Sequence, residues 1–252
     1  MTTIVWLRQD LRISDNPALH HAATRGSVVP VYILDEPPAG ARRRPIGSAS
    51  RWWLHHSLTA LGNDLPGLVL LKGEPLYQLR ELISEVGADA VFWNRVYEPE
   101  AIQRDKEIKL ELRAQGLQVQ SFNAALMHEP WEIATGAGGP FKVYSPFCRA
   151  ALKRDVAAPL PKTSVEVRSR PDCGEHLDSW KLLPENPDWA DGWLDLWQPG
   201  EVGARQRLED FAENGLNGYA TLRDRPDRDN VSRLSAHLHC GEISPRPVSY
   251  TH

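Results

Sequence analysis

Two serines and an arginine stand close together near the end of the chain, in the segment NVSRLSAHL at residues 230–238. A helix is predicted to begin here, and the backbone N–H groups at a helix start carry a partial positive charge. Hydroxyl groups and a guanidinium beside such N–H groups are suited to binding a phosphate. The alternative is that Ser232 or Ser235 caps the helix with its side-chain oxygen while Arg233 lies in solvent. Because short motifs have low specificity, the segment alone favours capping.

The histidines and cysteines do not have the spacing of a metal site. His237 and His239 are two residues apart, so on a helix their side chains point in different directions. Cys148, Cys173 and Cys240 are odd in number, widely separated and form no C-x-x-C pair, which argues against a zinc site or a disulfide framework. We therefore predict three reduced thiols and no bound metal.

The composition is that of a globular protein. Charged residues make up 25% and hydrophobic residues 41% of the 252 residues, and the formal net charge is −4. This charge gives no overall attraction for nucleic acid, so any contact with DNA must come from a local patch. No apolar run is long enough to span a membrane, and the N-terminal residues do not resemble a signal peptide. The sequence therefore predicts a cytoplasmic protein that does not bind a membrane.

Apolar segments in the first half of the chain alternate between the patterns of strands and helices. Strands are predicted at residues 3–7, 28–34, 67–72, 90–93 and 117–122, and helices at residues 19–23, 48–61, 74–86 and 99–114. Residues 14–17 (SDNP) supply capping side chains and a proline for the start of the first helix. The alternation predicts an α/β fold, with a parallel sheet covered by helices on both faces. Ligands of such sheets bind beyond the carboxyl ends of the strands.

The turn after the first strand excludes one common kind of ligand site. A dinucleotide-binding fold needs G-x-G-x-x-G at this turn, whereas residues 6–12 are WLRQDLR. Such bulky side chains would keep a pyrophosphate away from the backbone. Arg8, Asp10 and Arg12 are therefore predicted to form an ion-paired structural corner rather than a catalytic group.

The middle of the chain has less regular patterns. Residues 157–187 are rich in proline, serine and charge and have little apolar periodicity, which indicates a linker between domains. Trp189, Trp193 and Trp197 follow at four-residue spacing and would share one face if this segment were helical. We expect them to pack against a domain, because aromatic rings gain most from burial. An amphipathic helix is predicted next, at residues 203–216.

Motifs along the whole chain, in the same order, resemble those of one family. Residues 6–19 (WLRQDLRISDNPAL) are similar to the opening signature W-[FH]-R-x-D-L-R-x-x-D-N-x-A-L of the photolyase and cryptochrome family. Residues 50–61 resemble the family's next helix, residues 144–149 (YSPFCR) its [FY]-[TS]-P-F-x-[RK] stretch, and residues 197–201 (WQPGE) its W-x-P-G-E helix start. Residues 230–246 are similar to its flavin clamp, T-S-x-L-S-P-x-L-x-x-G-x-[IL]-S-x-R.

The resemblance implies a domain division and a cofactor site. A photolyase-type antenna domain would occupy residues 1–135, a connecting helix and linker residues 136–200, and the start of an all-helical FAD-binding domain residues 201–252. The family's contacts with FAD carry over onto Tyr219, Val231, Ser232, Arg233, Leu234 and Ser235. Val231 stands where the family usually has threonine, which removes one hydroxyl hydrogen bond of about 1 kcal/mol. The resemblance implies neither a catalytic side chain nor a metal ligand.

The implied activity is light-driven repair of damaged DNA. In such a protein, reduced FAD passes an electron to a cyclobutane pyrimidine dimer that is flipped out of the duplex. An antenna chromophore, either a folate or a deazaflavin, would lie in the α/β domain and pass excitation energy to FAD. The alternatives are a cryptochrome-type blue-light photoreceptor and a short antenna or interaction module without catalysis.

Members of this family are longer than the present chain. We therefore expect the 252-residue chain alone to be inactive and to bind FAD weakly or not at all, and the intact protein to be a monomer. Several apolar side chains are expected to be exposed and to promote association of the short chain. They are Trp197, Leu208, Phe211, Leu234 and Leu238.

Overall fold

The computed structural model describes residues 1–37, 45–168, 171 and 173–251. Its first part is a five-stranded parallel sheet with the strand order β3-β2-β1-β4-β5. The strands are β1 (Thr2–Leu7), β2 (Ser27–Leu34), β3 (Val69–Lys72), β4 (Ala90–Asn94) and β5 (Gln118–Phe122). The helices between them are α1 (Pro17–Ala23), α2 (Ser48–Asp64), α3 (Pro75–Val86) and α4 (Pro99–Ala114). The predicted parallel α/β sheet is confirmed, and the ends of its elements differ from the prediction by three residues or fewer.

Alternate residues of β1 point to opposite faces of the sheet. Ile4 and Trp6 belong to a buried cluster that includes apolar residues of α3 and α4. Val5 and Leu7 belong to the cluster on the other face, with residues of α1 and α2. A strand buried on both faces has a nearly continuous apolar sequence, which is why β1 and β2 were recognisable as strands. Helices therefore cover both faces of the sheet, as predicted.

Capping residues determine where the helices begin. The side chain of Asn16 accepts the N–H of Leu19, and Pro17 is the first residue of α1. Glu74 accepts the N–H groups at the start of α3, including that of Tyr77. The helix predicted from residue 74 therefore begins one residue later, because Glu74 is its cap.

The described residues of the segment 157–187 pack along the sheet domain. The backbone N–H of Val28 in β2 donates to the oxygen of Glu166 at 2.9 Å, and Val28 pairs with Val167 in an isolated bridge. Trp180 and Leu182 are each 3% exposed and belong to the core on the α1 and α2 side. The prediction of a linker missed these contacts, because scattered apolar residues give no periodic signal even when each has a place on a core.

The second half of the chain contains short helices. They are α5 (Tyr144–Ala151), α6 (Trp193–Leu196), α7 (Glu201–Asp210), α8 (Tyr219–Leu222), α9 (Ser235–Cys240) and α10 (Pro245–Thr251). The helix predicted at residues 203–216 begins earlier, at Glu201, and after Asp210 it continues as one π-helical turn, Phe211–Gly215. Across the described residues, every helix is too short or too polar to cross a membrane.

The predicted exposure of apolar residues is wrong for three of the five side chains. Leu208, Phe211 and Leu234 are 7%, 6% and 2% exposed. Leu208 and Leu234 belong to a small separate core, in which α7 packs against the turn before α9, and the ring of Phe211 contacts that of Tyr219. Leu238 is 39% exposed, and the ring of Trp197 is partly buried against α2.

Candidate functional site

A cleft of about 700 Å³ opens at the carboxyl edge of the sheet. The strand order reverses between β1 and β4, and open parallel sheets bind ligands beyond the strand ends at such a point. The cleft lies between the ends of β1 and β2 and the start of α4, and its volume suits a small organic ligand. Its lining includes Trp6, Arg8, Tyr32, Asp35, Val96 and Arg104.

Carboxylates hold two arginines in this cleft. Arg8 donates to Asp105 at 2.6 Å and to the backbone oxygen of Asn94. Arg104 donates to Asp35 at 2.8 Å and to Asp105 at 3.1 Å. Burial lowers the pKa of Arg8, and the charge of Asp105 opposes this change. An arginine keeps its charge over the whole physiological pH range, so both guanidinium groups are cations with fixed orientations.

The indole ring of Trp6 lies against both guanidinium groups. The Cζ atoms of Arg8 and Arg104 are 4.5 Å and 5.2 Å from its centroid, which is the range of cation–π contacts. Trp6 is 1% exposed, and its Nε1 has no hydrogen-bond partner among the described residues. The Nε of Arg8 is also buried and lacks a partner there. Buried donors are nearly always paired, so two neighbouring exceptions in one cleft call for an explanation.

The predicted corner after β1 forms, but the ion pairing differs from the prediction, because Arg8 pairs with Asp105 of α4 rather than with Asp10. Asp10 accepts the backbone N–H of Arg8 and the Nδ2 of Asn94, both at 2.6 Å. The Arg12 side chain is buried, and its guanidinium donates to the backbone oxygens of Ser14, Asp15, Ala124 and Gly241. The corner therefore has a structural role, and Arg12 also joins the sheet domain to the end of the chain.

Sequence reasoning missed Asn94 and Asp105. Asn94 is the last residue of β4 and is 2% exposed, and a polar residue that ends a buried strand is a signal that could have identified it. Asp105 lies on the buried face of α4 and is 8% exposed. Its partner Arg8 is 97 residues away in sequence, and local patterns carry no information about such a pair.

The six residues assigned to FAD lie on two neighbouring segments. Tyr219 is the first residue of α8. Residues 231–234 precede α9, and Ser235 is the first residue of that helix. Asn230 donates to the backbone oxygen of Asn217 at 3.3 Å, which ties the second segment to the loop before α8. We refer to Tyr219 and residues 231–235 as the clamp.

The serines of the clamp do not cap α9. The cap is Leu234, whose side chain makes no capping hydrogen bond, and the Oγ of Ser232 is 3.5 Å from its N atom, at the limit of a hydrogen bond. Arg233 has a left-handed φ of 52° and forms an ion pair with Asp229 at 3.0 Å. The capping alternative is therefore wrong, because the left-handed residue separates Ser232 from the helix start.

One buried carboxylate joins α9 to the sheet domain. Glu242 is 0% exposed and accepts the Nε1 of Trp53 at 3.0 Å, the N–H of Gly200 at 2.7 Å and the hydroxyl of Ser57. Its other oxygen is 2.5 Å from the Nδ1 of His237. Helix α2, the start of α7 and helix α9 thus meet at a single side chain next to the clamp.

The tryptophans near residue 190 pack against α2, as expected. The rings of Trp193 and Trp52 are 5.2 Å apart between centroids, and those of Trp197 and Trp53 are 5.5 Å apart. Helix α6 spans only four residues and excludes Trp189, so a shared helical face does not form. Trp189 instead contacts the edge of the Trp193 ring, at 5.0 Å.

The cysteines are expected to differ strongly in reactivity. Burial raises the pKa of the Cys240 thiol to about 12, with a further contribution from the charge of Glu242, whereas Cys173 is exposed. Only the thiolate reacts with alkylating agents. Brief iodoacetamide treatment at mildly alkaline pH should label Cys173 well before Cys240, as measured by peptide mass spectrometry. The unfolded chain, the control, should label both equally, and equal labelling of the folded chain would contradict this prediction.

The sheet order and the polar corner after β1 define an α/β domain of the open parallel type, with a cleft at the point where such sheets bind ligands. Residues 3–165 match the family model described as DNA photolyase. The chain belongs to the DNA photolyase family.

Relatives show the same family along the whole chain. Deoxyribodipyrimidine photo-lyase from Agrobacterium fabrum is 48% identical over 253 residues, which cover 97% of this chain and 52% of the relative. Cryptochrome-1 from Arabidopsis thaliana is 33% identical over 98% of this chain and 37% of its own length. The crystal structure of a class III photolyase from Agrobacterium tumefaciens has a TM-score of 0.92 and 46% identity, over 99% of this chain and 52% of that one. The chain thus spans about half the length of these photolyases.

Proposed function

We propose that this chain is part of a light-driven enzyme that repairs cyclobutane pyrimidine dimers in DNA by electron transfer from reduced FAD. The observation that carries the proposal is the 48% identity, over 97% of the chain, to a protein named deoxyribodipyrimidine photo-lyase. The reaction class is lyase, and the partner is damaged DNA. A cytoplasmic location and a monomeric intact protein are further parts of the proposal.

The clamp binds the phosphates of FAD in this proposal. Its donors fit that group: Ser232 and Ser235 are not used in capping α9, and the exposed guanidinium of Arg233 is charged. Tyr219 and Val231 are 37% and 38% exposed, so the described residues cover the cofactor from one side. When bound, FAD supplies the electron for repair. The clamp residues hold and orient it from one side only, so we expect the 252-residue chain to bind FAD weakly or not at all.

The cleft at the carboxyl edge of the sheet is the proposed site of the antenna chromophore, a folate or a deazaflavin. Its position at the reversal of strand order supports this assignment, as does a lining with apolar members such as Ile33, Leu34 and Val96. The proposed division into an antenna domain at residues 1–135, a connection at 136–200 and the start of the FAD domain at 201–252 separates this cleft from the clamp.

A blue-light photoreceptor is the second candidate, because the chain is 33% identical to Cryptochrome-1 over 98% of its length. The test is light-dependent repair of an oligonucleotide that contains one pyrimidine dimer, with the gene product purified together with its flavin. Dimer loss under blue light and none in darkness would establish repair. Bound flavin with no dimer loss in either condition would reject repair and favour the photoreceptor.

Replacement of Arg233 by alanine tests the clamp separately. The variant should bind FAD roughly 10- to 100-fold more weakly, because a charged hydrogen bond to phosphate is worth roughly 1.5–3 kcal/mol. The matched control is Arg228→Ala, since Arg228 is an exposed arginine of the same loop that interacts with Asp227. Affinities follow from quenching of flavin fluorescence in a titration of the gene product. An equal loss in both variants would mean that general charge, rather than the clamp, attracts the cofactor.

A further inference from the structure

Two buried hydrogen-bond donors in the cleft have no acceptor among the described residues. They are the indole Nε1 of Trp6 and the Nε of Arg8. Both side chains line the cleft, and their aromatic and guanidinium groups are 4.5 Å apart. A buried donor without an acceptor opposes folding. Two such donors beside one cleft indicate that the acceptor comes from outside the described residues.

The charge of Arg8 is already balanced without a ligand. Asp105 accepts one nitrogen of its guanidinium, and the backbone oxygen of Asn94 accepts another. The indole N–H of Trp6 is uncharged. The two open donors therefore require a hydrogen-bond acceptor but not an anion, and a ring nitrogen or carbonyl oxygen is sufficient.

Besides charged members such as Glu98 and Arg104, the lining has an apolar part that favours a flat apolar body. Ile33, Leu34 and Val96 contribute aliphatic side chains, and Tyr32 contributes a ring that is 8% exposed. A ligand that fills this volume must bury an apolar surface and place acceptor atoms at one edge. Fused heteroaromatic rings with carbonyl and imine groups along an edge have both properties.

We propose that Trp6 and Arg8 determine the specificity of the cleft, by donating the Nε1 and Nε hydrogen bonds to the acceptor edge of an uncharged fused heteroaromatic ring. This inference rests on the proposed antenna site and adds the atoms that select its ligand. Flavin-type and pterin-type rings share the required edge. Tails that carry phosphate or carboxylate groups contribute nothing to this selection.

The test compares two tryptophans of the same core in the 252-residue chain. Trp6→Phe removes the open donor. Trp93→Phe is the control, because Trp93 is also 1% exposed and contacts the Trp6 ring edge-on at 5.8 Å, while it lies outside the described lining. The probes are riboflavin and 6-methylpterin, which carry no phosphate or glutamate, and binding is followed by their fluorescence. Thermal melting of each variant shows whether it is folded.

We expect at least one probe to bind the unmodified chain and Trp93→Phe with equal affinity. The same probe should bind Trp6→Phe about three- to tenfold more weakly, which corresponds to the loss of one neutral buried hydrogen bond. Whichever probe binds more tightly identifies the ring type. If Trp6→Phe does not fold, Arg8→Lys gives the second measurement, since lysine keeps a cation near Asp105 but lacks the Nε donor; a similar loss is expected.

Two results would overturn the inference in distinguishable ways. In the first, a probe binds the unmodified chain, but Trp6→Phe binds it as tightly as Trp93→Phe, or Arg8→Lys binds it as tightly as the unmodified chain. Trp6 and Arg8 then do not select the ligand, while the assignment of the cleft as the antenna site stands. If neither probe binds the unmodified chain, the assignment of the cleft as a chromophore site fails, and this inference fails with it.

Discussion

Replacement of Glu242 by alanine is expected to lower the free energy of unfolding by about 3–5 kcal/mol, the range found when one partner of a buried charged network is removed. The substitution leaves the Nε1 of Trp53 and the N–H of Gly200 without an acceptor in a region that water does not reach, while the hydroxyl of Ser57 can still donate to the backbone oxygen of Trp53. Each unpaired donor opposes folding. The effect should be large because α2, α7 and α9 lose their common contact at once.

Glu242→Gln is the matched control. One glutamine oxygen can still accept the donors of Trp53, Ser57 and Gly200, and its amide can donate to the Nδ1 of His237 when that ring carries its proton on Nε2. This variant should lose only about 1–2 kcal/mol, the difference between a charged and a neutral acceptor. Urea denaturation followed by tryptophan fluorescence measures both values. Equal losses for alanine and glutamine would show that packing, rather than the acceptor oxygens, stabilises this junction.

The network around Glu242 also marks a limit of sequence reasoning. Glu242 is separated from Trp53 by 189 residues and from Ser57 by 185 residues. A glutamate in the motif GEIS is expected to be exposed, because buried carboxylates are rare unless they are paired. No local sequence pattern identifies Trp53 and Ser57 as the hydrogen-bond partners that make the burial of Glu242 possible, because only the tertiary fold brings them together.

The sheet was predictable because its physical cause is local. Buried parallel strands need continuous apolar sequence, and β1 and β2 have it on both faces. Residues 157–187 lack that pattern, yet Trp180 and Leu182 are as deeply buried as the strands they cover. Isolated apolar residues in an irregular segment have no period, so their burial becomes visible only in three dimensions.

The two candidate sites differ in how far the sequence determines them. The corner at Arg8 and Asp10 was predicted from charges at the end of a strand, but the ion pair of Arg8 is with Asp105 of α4, which no local pattern indicates. The clamp was assigned by resemblance, and the local argument for helix capping at Ser232 failed because Arg233 adopts a left-handed φ. A positive φ in a residue other than glycine is uncommon, and no local pattern around Arg233 indicates one.

Gly241→Ala is expected to destabilise the junction between the sheet domain and the chain end by about 3 kcal/mol or more, since left-handed strain and overpacking act together. Gly241 has a φ of +68°, and a Cβ atom there would overlap the backbone carbonyl of Gln9. The neighbouring backbones are joined by the hydrogen bond from Leu11 to Cys240 at 3.2 Å. Neither backbone can withdraw without breaking that bond, so the added methyl group must separate the two segments.

Gly87→Ala is the control that isolates the contact from the backbone strain. Gly87 has a similar φ of +59°, but a Cβ atom there would meet nothing within 4 Å. It should therefore lose only the strain of a left-handed alanine, about 1 kcal/mol. Hydrogen exchange should report faster exchange in Gly241→Ala at residues 9–12 and 235–246, with the strands still protected, because the sheet retains both of its buried clusters. If Gly241→Ala is no less stable than Gly87→Ala, the close approach of Gly241 to Gln9 does not hold the chain end against the sheet domain.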